Sequence, residues 1–138
     1  MKHSLTTKWI DGMAFETDFD GHKIIVDSSP EFGGQDRGPL PKPLLLNALT
    51  GCTAMDVVSI LNKMKVPFTN FEIEIEGTLA EEHPKVYNKV HLVYWFEGQD
   101  LPMAKLEKAV KLSNERYCGV IAMVSQVAEL TYEIKVRD

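Results

Sequence analysis

A long apolar stretch between residues 41 and 65 constrains the fold of this chain more than any other segment. Two prolines at its start suit the first turn of a helix, where a missing N–H costs nothing, and Pro67 limits the far end. Its apolar residues point around nearly the whole circumference of a helix instead of along one stripe. A helix that is apolar on all sides is typically a core helix with several neighbours. The sequence therefore predicts a central helix over residues 41–65.

A thiol and a carboxylate lie inside this apolar helix. Cys52 and Asp56 are four residues apart, which places them on the same face of the helix. Burial and the neighbouring carboxylate both disfavour a thiolate at Cys52. A reactive Cys52 therefore needs a cation nearby, and the candidates are Arg37, in the preceding loop, and Lys42, at the helix entrance.

The second cysteine, Cys118, lies near the start of a predicted later helix, 66 residues after Cys52. The N–H groups at a helix start and the adjacent Arg116 are features that lower the pKa of a thiol. On residue type alone, two interpretations stay open. Both cysteines can be core residues, which is the commoner case because free cysteine is among the most buried residue types, or they can form a catalytic pair.

Composition bounds the class of protein. A chain of 138 residues is long enough for one domain with a real core, here residues 1–138. With 15 basic and 20 acidic residues the net charge is −5, which does not favour a nucleic-acid partner. Asp56 and Lys63 interrupt the only candidate membrane span, so no membrane partner is expected. The N-terminus has no apolar signal segment, which predicts a cytoplasmic protein.

Other kinds of site lack their sequence motifs. There is no C-x-x-C pair, and the histidines are too dispersed to indicate a metal site. Gly33-Gly34 lacks the Gly-Lys-Ser/Thr of a phosphate loop, and no G-x-S-x-G marks a catalytic serine. We therefore expect neither a bound metal nor a cofactor.

Alternating segments separated by Asp-Gly pairs open the chain. Asp11-Gly12 and Asp20-Gly21 each lie between two short runs, which is a strong signal for a β-hairpin. The pattern predicts a meander of three strands over residues 4–10, 13–19 and 22–27. Residues 28–42 are rich in Gly, Pro and Ser and predict a long loop. That loop is either a functional segment or a flexible connector.

The second half of the chain continues with strands and helices. The predicted elements are strands at 71–79 and 85–97, helices at 103–115 and 118–128, and a final strand at 129–138. Glu72, Glu74 and Glu76 alternate with apolar residues, and we interpret them as the exposed face of a sheet. The order βββ-α-ββ-αα-β predicts an α+β fold of curved antiparallel sheets packed on the central helix.

The central helix is too apolar for these neighbours alone. One curved sheet covers one side of it, and the two shorter helices cover part of the rest. We therefore expect a second copy of the chain to bury the remaining face in a homodimer, since two-fold dimers are the commonest assemblies of this kind.

Three motifs carry a resemblance to a known family. They are Gly38-Pro-Leu-Pro41, then Leu44-Leu-Leu-Asn-Ala-Leu-Thr-Gly-Cys52, then Tyr117-Cys118-Gly-Val. Together they resemble the OsmC/Ohr family, whose names stand for osmotically inducible protein C and organic hydroperoxide resistance protein. The resemblance covers essentially the whole chain, and it is greatest to the broader OsmC-like branch.

The resemblance implies an intertwined homodimer with two long central helices inside curved sheets and an active site at the dimer interface. It also implies thiol peroxidase chemistry in defence against oxidative stress. Cys52 attacks an apolar organic hydroperoxide and becomes a sulfenic acid, and Cys118 resolves this to a disulfide, consistent with the oxidation steps of cysteine. A dithiol such as dihydrolipoamide then reduces the disulfide.

The sequence departs from the peroxidase pattern at the activating cation. Those enzymes hold the thiolate with an Arg on an early strand, oriented by a Glu after the leader proline. Here the early strands carry no arginine and Lys42 occupies the Glu position. Arg37 is the only arginine before Cys52 and is our candidate replacement. Two hypotheses follow: a peroxidase using Cys52, Cys118 and Arg37, or a non-enzymatic dimer that binds an apolar ligand or senses oxidants.

Overall fold

Two compact units, residues 1–45 and residues 46–138, make up the computed structural model of the chain, which describes every residue from Met1 to Asp138. The first holds strands β1 (Thr6–Asp11), β2 (Ala14–Phe19) and β3 (His22–Val26). Helix α1 (Pro41–Lys63) begins there and continues into the second. The second adds β4 (Asn70–Leu79), β5 (Tyr87–Glu97), α2 (Met103–Leu112), α3 (Gly119–Val124) and β6 (Glu129–Arg137). The predicted α+β class and element order are confirmed, while the single domain over 1–138 stays a prediction.

The N-terminal unit is an antiparallel meander in which β2 pairs with both neighbours. Its two turns fall on the predicted Asp-Gly pairs. Gly12 and Gly21 have φ angles of 51° and 87°, and Asp20 has a φ of 50°. These left-handed conformations are what the tight turns of hairpins require and what Gly and Asp tolerate. The local turn chemistry therefore explains why the meander could be read from the sequence.

Helix α1 buries one stripe of its surface. The stripe has a spacing of four residues, so its members share one helix face; they are Leu49, Thr53, Val57 and Leu61, each with 0% exposure. Leu49, Val57 and Leu61 belong to the same hydrophobic cluster as the inward side chains of β5, namely Val90, Leu92, Tyr94 and Phe96. Away from the stripe, apolar side chains remain exposed, and Met55 is 77% exposed.

By length and composition, α1 could cross a membrane. The expectation that Asp56 and Lys63 would disqualify this segment was therefore wrong. A single helix of this kind is weak evidence for a membrane span, because the central helix of a globular domain passes the same test. We interpret α1 as a core helix, since its buried stripe packs with the sheet of the second unit.

The second unit contains a mixed sheet in the order β4-β5-β6. β4 and β5 pair antiparallel as predicted, and the glutamates of β4 face outward. β6, however, runs parallel to β5, which corrects the expectation of an all-antiparallel sheet. A parallel pair needs a long crossover, and α2 and α3 supply it between the two strands.

The crossover differs in detail from the two predicted helices. α2 ends at Leu112, and one turn of π-helix over Ser113–Tyr117 follows it. The backbone N–H of Cys118 donates to the carbonyl oxygen of Ser113, five residues back, at 2.9 Å. α3 then covers only Gly119–Val124 instead of 118–128. Wide π turns often mark functional positions, and this one fixes Ser113 and Cys118 relative to each other.

Candidate functional site

The two cysteines of the chain come together in the second unit. Cys52 lies in the middle of α1 and is partly buried, whereas Cys118 precedes α3 and is 3% exposed. The Sγ atoms of Cys52 and Cys118 and a carboxylate oxygen of Asp56 all lie within 4.8 Å of one another. Asp56 joins them because it follows Cys52 by one helical turn. The fold thus converts two distant cysteines into a dithiol beside a carboxylate.

Cys118 caps the short helix α3. Its Sγ accepts a hydrogen bond from the backbone N–H of Ile121 at 3.4 Å. Burial raises the pKa of Cys118 to about 11, and the hydrogen bond and charge of Cys52 raise it too, while the Ile121 N–H opposes them. The expectation of a lowered pKa at Cys118 was therefore wrong, since desolvation disfavours a buried thiolate. The guanidinium carbon of Arg116 lies 5.6 Å from the ring centroid of Tyr117.

A chain of buried and partly buried hydrogen bonds leads to Asp56. Ser113 Oγ donates to Asp56 Oδ2 at 3.0 Å, and Thr53 Oγ1 lies 2.7 Å from Ser113 Oγ. Thr53 Oγ1 also lies 2.8 Å from the hydroxyl of Tyr94, which accepts from Asn114 Nδ2 at 3.0 Å. Thr53, Tyr94 and Ser113 each have 0% exposure. We call Asp56, Ser113, Thr53, Tyr94 and Asn114 the polar chain.

The direction of each bond in the polar chain follows from its end at the carboxylate. Ser113 donates its one hydroxyl hydrogen to Asp56, so the hydrogen between Ser113 and Thr53 must come from Thr53. Tyr94 must then donate to Thr53, and Asn114 donates to Tyr94. Every hydroxyl is thus committed in one direction, which fixes the orientation of the Asp56 carboxylate beside the two sulfurs.

Asp56 also borders an open cleft of about 530 Å³ in the second unit. Apolar side chains form part of its wall, namely Ile60, Met64 and Leu112, and the polar lining includes Ser59, Lys63, Lys108 and Tyr117. A concave site with apolar walls and a few polar groups suits a small amphipathic molecule.

Arg37, the predicted activating cation, is ion-paired within the N-terminal unit. Its Nη2 lies 2.7 Å from Asp11 Oδ1, and its Nε lies 3.0 Å from Asp27 Oδ2. These carboxylates raise the pKa of Arg37 further. Burial raises the pKa of Asp27, but hydrogen bonds from Ser28, Arg37 and Gln35 outweigh it and lower that pKa to about 2. Two acidic partners thus compensate the charge of Arg37. Its role as the cation that activates Cys52 stays a prediction.

The sequence did not indicate the polar chain. Thr53 and Asp56 were visible as polar residues inside an apolar helix, and that contrast was the available signal. Their partners Tyr94, Ser113 and Asn114 come from other elements. No periodic pattern links residues so far apart, so the sequence could not show the hydrogen-bond partner of Asp56. Its partner is Ser113.

Comparison with known proteins gives a consistent result. A family model described as OsmC-like protein matches residues 33–133 of the chain. Protein YhfA of Escherichia coli (strain K12) is 33% identical over 130 residues, which is 94% of either chain.

Solved structures share the fold over nearly the full length. A hypothetical protein from Aquifex aeolicus VF5 superposes with a TM-score of 0.84 at 28% identity, covering 100% of this chain and 99% of the other. The organic hydroperoxide resistance protein OhrB of Bacillus subtilis superposes with a TM-score of 0.70 and covers 98% of both chains. At 16% identity, that second likeness shows a common fold.

Proposed function

This chain belongs to the OsmC-like protein family, and from that premise we propose that it is a cysteine-based peroxidase that reduces organic hydroperoxides. The observation that carries the proposal is the proximity of two sulfurs, Cys52 and Cys118, within 4.8 Å in the folded chain. Free thiols so close together can form a disulfide without unfolding. The fold shared with an organic hydroperoxide resistance protein supports the substrate class.

Cys52 is the better candidate for the first step. Its side chain is partly exposed, whereas Cys118 is almost fully buried. The thiolate of Cys52 attacks one peroxide oxygen, the O–O bond breaks, and the alkoxide leaves and takes up a proton to become an alcohol. Cys52 is then a sulfenic acid.

We assign the second step to Cys118. Its sulfur attacks the sulfenic sulfur of Cys52, so the S–S bond forms and the S–O bond breaks. The departing hydroxide and the thiol proton leave as water. A disulfide has an S–S length of about 2.05 Å, so the two sulfurs must approach by no more than about 3 Å from their positions in the structure.

A dithiol completes the cycle. One of its thiolates attacks the Cys52–Cys118 disulfide and forms a mixed disulfide with the protein. Its second thiol then attacks this mixed disulfide and releases the protein thiol. The products are a cyclic disulfide of the reductant and two free protein thiols. The cytoplasm, which we propose as the setting, keeps such dithiols reduced.

The sharpest test compares two serine variants. In the presence of cumene hydroperoxide and dihydrolipoamide, we expect Cys52→Ser to lose turnover entirely, because serine has no comparable nucleophile. Cys118→Ser should still form a sulfenic acid at Cys52, detectable by a dimedone adduct, but no intramolecular disulfide. Each variant is the matched control for the other.

Turnover retained in Cys52→Ser would refute the assignment of the first nucleophile. Dimedone labelling of Cys118 in that variant would show that Cys118 is the first nucleophile and Cys52 the resolving cysteine.

The candidate cation is tested in the same assay. If Arg37 activates Cys52, then Arg37→Gln should lower the rate of sulfenic acid formation more than Lys42→Gln does.

The second candidate function is ligand binding without turnover. The cleft beside Asp56 favours it, because apolar walls and two lysines suit a molecule with an apolar chain and an acidic group. This reading predicts negligible peroxide turnover in the wild-type protein. It also predicts a rise of the melting temperature with a fatty acid, and a smaller rise in Lys108→Gln.

We also propose that the chain forms a homodimer. The observation that supports it is the exposed apolar surface of α1, where Met55 is 77% exposed. A helix apolar on several sides requires neighbours on those sides, and a second copy of the same helix supplies one.

A further inference from the structure

The dithiol and its carboxylate also form a set of metal-ligand atoms. Thiolate sulfur and carboxylate oxygen are both ligands of Zn²⁺, with Zn–S near 2.3 Å and Zn–O near 2.1 Å. Tetrahedral geometry then requires donor atoms about 3.5 to 3.8 Å apart. The donor atoms of Cys52, Asp56 and Cys118 lie within 4.8 Å of one another. Shortening these distances by little more than about 1 Å would therefore bring all three donor atoms into the coordination shell of one ion.

The three donors sit on ordered elements. Cys52 and Asp56 are one turn apart on α1, a spacing at which two helical side chains reach one ion. Cys118 is held at the start of α3 by its Ile121 hydrogen bond and by the π turn that ends on it. A site on helices is more precise than one on loops.

An independent observation is the polar chain that ends on Asp56. Ligating carboxylates are typically oriented by hydrogen bonds from an outer shell. Here Ser113 donates to one carboxylate oxygen, and Thr53 and Tyr94 in turn fix Ser113. Three fully buried hydroxyls are thus arranged to orient one carboxylate toward a pair of sulfurs.

The charges of the cluster favour the same conclusion. Two thiolates and a carboxylate within 4.8 Å of one another would bring three negative charges together. A divalent cation between them attracts all three anions. Such an ion also deprotonates its thiol ligands.

We propose that the reduced chain binds one thiophilic divalent cation, such as Zn²⁺, through the Sγ atoms of Cys52 and Cys118 and the carboxylate of Asp56. The fourth position is open to water, because Cys52 and Asp56 are only partly buried and Asp56 borders the cleft. Binding releases two protons as both thiols become thiolates. A two-electron oxidant that joins the sulfurs in a disulfide expels the cation.

The test uses Cd²⁺ as a spectroscopic probe. Titration of the reduced protein should produce the ultraviolet thiolate-to-Cd²⁺ absorption and saturate at one ion per chain. Cys52→Ser and Cys118→Ser should each bind at least tenfold more weakly, with reduced absorption, and Asp56→Asn about tenfold more weakly. Ser113→Ala should lower the affinity by about tenfold through loss of orientation of the carboxylate.

The matched control is Asp100→Asn, which should bind as the wild type does. Asp100 is exposed and has a φ of 53°, a conformation that Asn tolerates. The protein with a Cys52–Cys118 disulfide should not bind. Unchanged affinity in either cysteine variant, or in Asp56→Asn, overturns the assignment.

A measurement on the wild-type protein covers the case in which a variant does not fold. X-ray absorption at the zinc edge should show two sulfur and two oxygen or nitrogen neighbours. A shell without sulfur, or with four sulfurs, contradicts the proposed site. Peroxidase turnover is not the readout, so this proposal can fail while the peroxidase proposal stands, and the reverse.

Discussion

Asp27 shows how one buried carboxylate organises the segment that follows β3. Its side chain has 0% exposure. It accepts hydrogen bonds from the backbone N–H groups of Ser28 at 2.8 Å and Gln35 at 3.2 Å, and from Nε of Arg37 at 3.0 Å. These bonds therefore attach the long loop to the residue that follows β3, and the interpretation of the loop as a purely flexible connector does not fit these contacts.

The lowered pKa of Asp27 predicts how stability depends on pH. The pKa is about 2 in the folded chain against an ordinary value of 3.8. A carboxyl with a depressed folded pKa contributes stability above its unfolded pKa and loses it as the pH falls through the folded value. We expect the melting temperature to fall between about pH 4 and pH 2, and Asp27→Asn to flatten this fall and lower the melting temperature at neutral pH.

Thermal unfolding followed over that pH range measures both effects. Asp36→Asn is the matched control, because Asp36 is exposed and its φ of 53° is one that Asn adopts. Parallel curves for Asp27→Asn and the wild type would show that this carboxyl is not the one that titrates.

At the scale of elements, the polar chain joins three parts of the second unit. Thr53 comes from α1, Tyr94 from β5, and Ser113 from the π turn after α2. The hydrophobic effect is non-directional, whereas hydrogen bonds between buried groups require particular distances and angles. The chain of hydroxyls therefore fixes how α1 lies on β5 and, through the π turn, where Cys118 meets Cys52.

Thr53→Val tests this connection. Valine has nearly the same shape but leaves Tyr94 and Ser113 without their shared partner, so the free energy of unfolding should drop by about 1 to 3 kcal/mol. Urea denaturation measures the change. Thr50→Val is the control on the same helix, because the Thr50 hydroxyl bonds only to the carbonyl oxygen of Asn47. Equal losses in both variants would show that the buried hydrogen bonds contribute nothing specific.

At the scale of the whole molecule, the exposed apolar surface of α1 is the feature that needs a partner. The fully buried stripe on this helix comprises four of its 23 residues. Monomeric proteins rarely expose contiguous apolar surface of large extent, and such surface marks an interaction site. The proposed homodimer would account for it.

Sedimentation equilibrium tests the dimer directly. We expect the wild-type chain to be dimeric at micromolar concentration and Met55→Lys to shift it toward monomer by at least tenfold in the dissociation constant, because a lysine charge disfavours an apolar interface. Met103→Lys, a matched change at the first residue of α2, where the side chain is 42% exposed, should leave the dimer intact. A stable wild-type monomer at that concentration contradicts the proposal.

The sequence alone determined the features that depend on neighbouring residues. The alternation of Glu72, Glu74 and Glu76 predicted an exposed strand face, and two Asp-Gly pairs predicted the meander turns; the structure contains both. The motifs around Cys52 and Cys118 also indicated the family. The exposed strand face can be predicted because successive side chains of a strand point to opposite faces. The turns can be predicted because Gly and Asp tolerate left-handed backbone conformations.

Only the tertiary structure decided the chemistry. It brought Cys118 to Cys52 across 66 residues, raised the pKa of Cys118 by burial, and set β6 parallel to β5. It also placed two carboxylates beside Arg37 and the hydroxyl of Ser113 within hydrogen-bond distance of Asp56. Contacts between distant segments leave no periodic trace in a sequence, because they depend on how whole elements pack and not on what stands beside each residue in the chain.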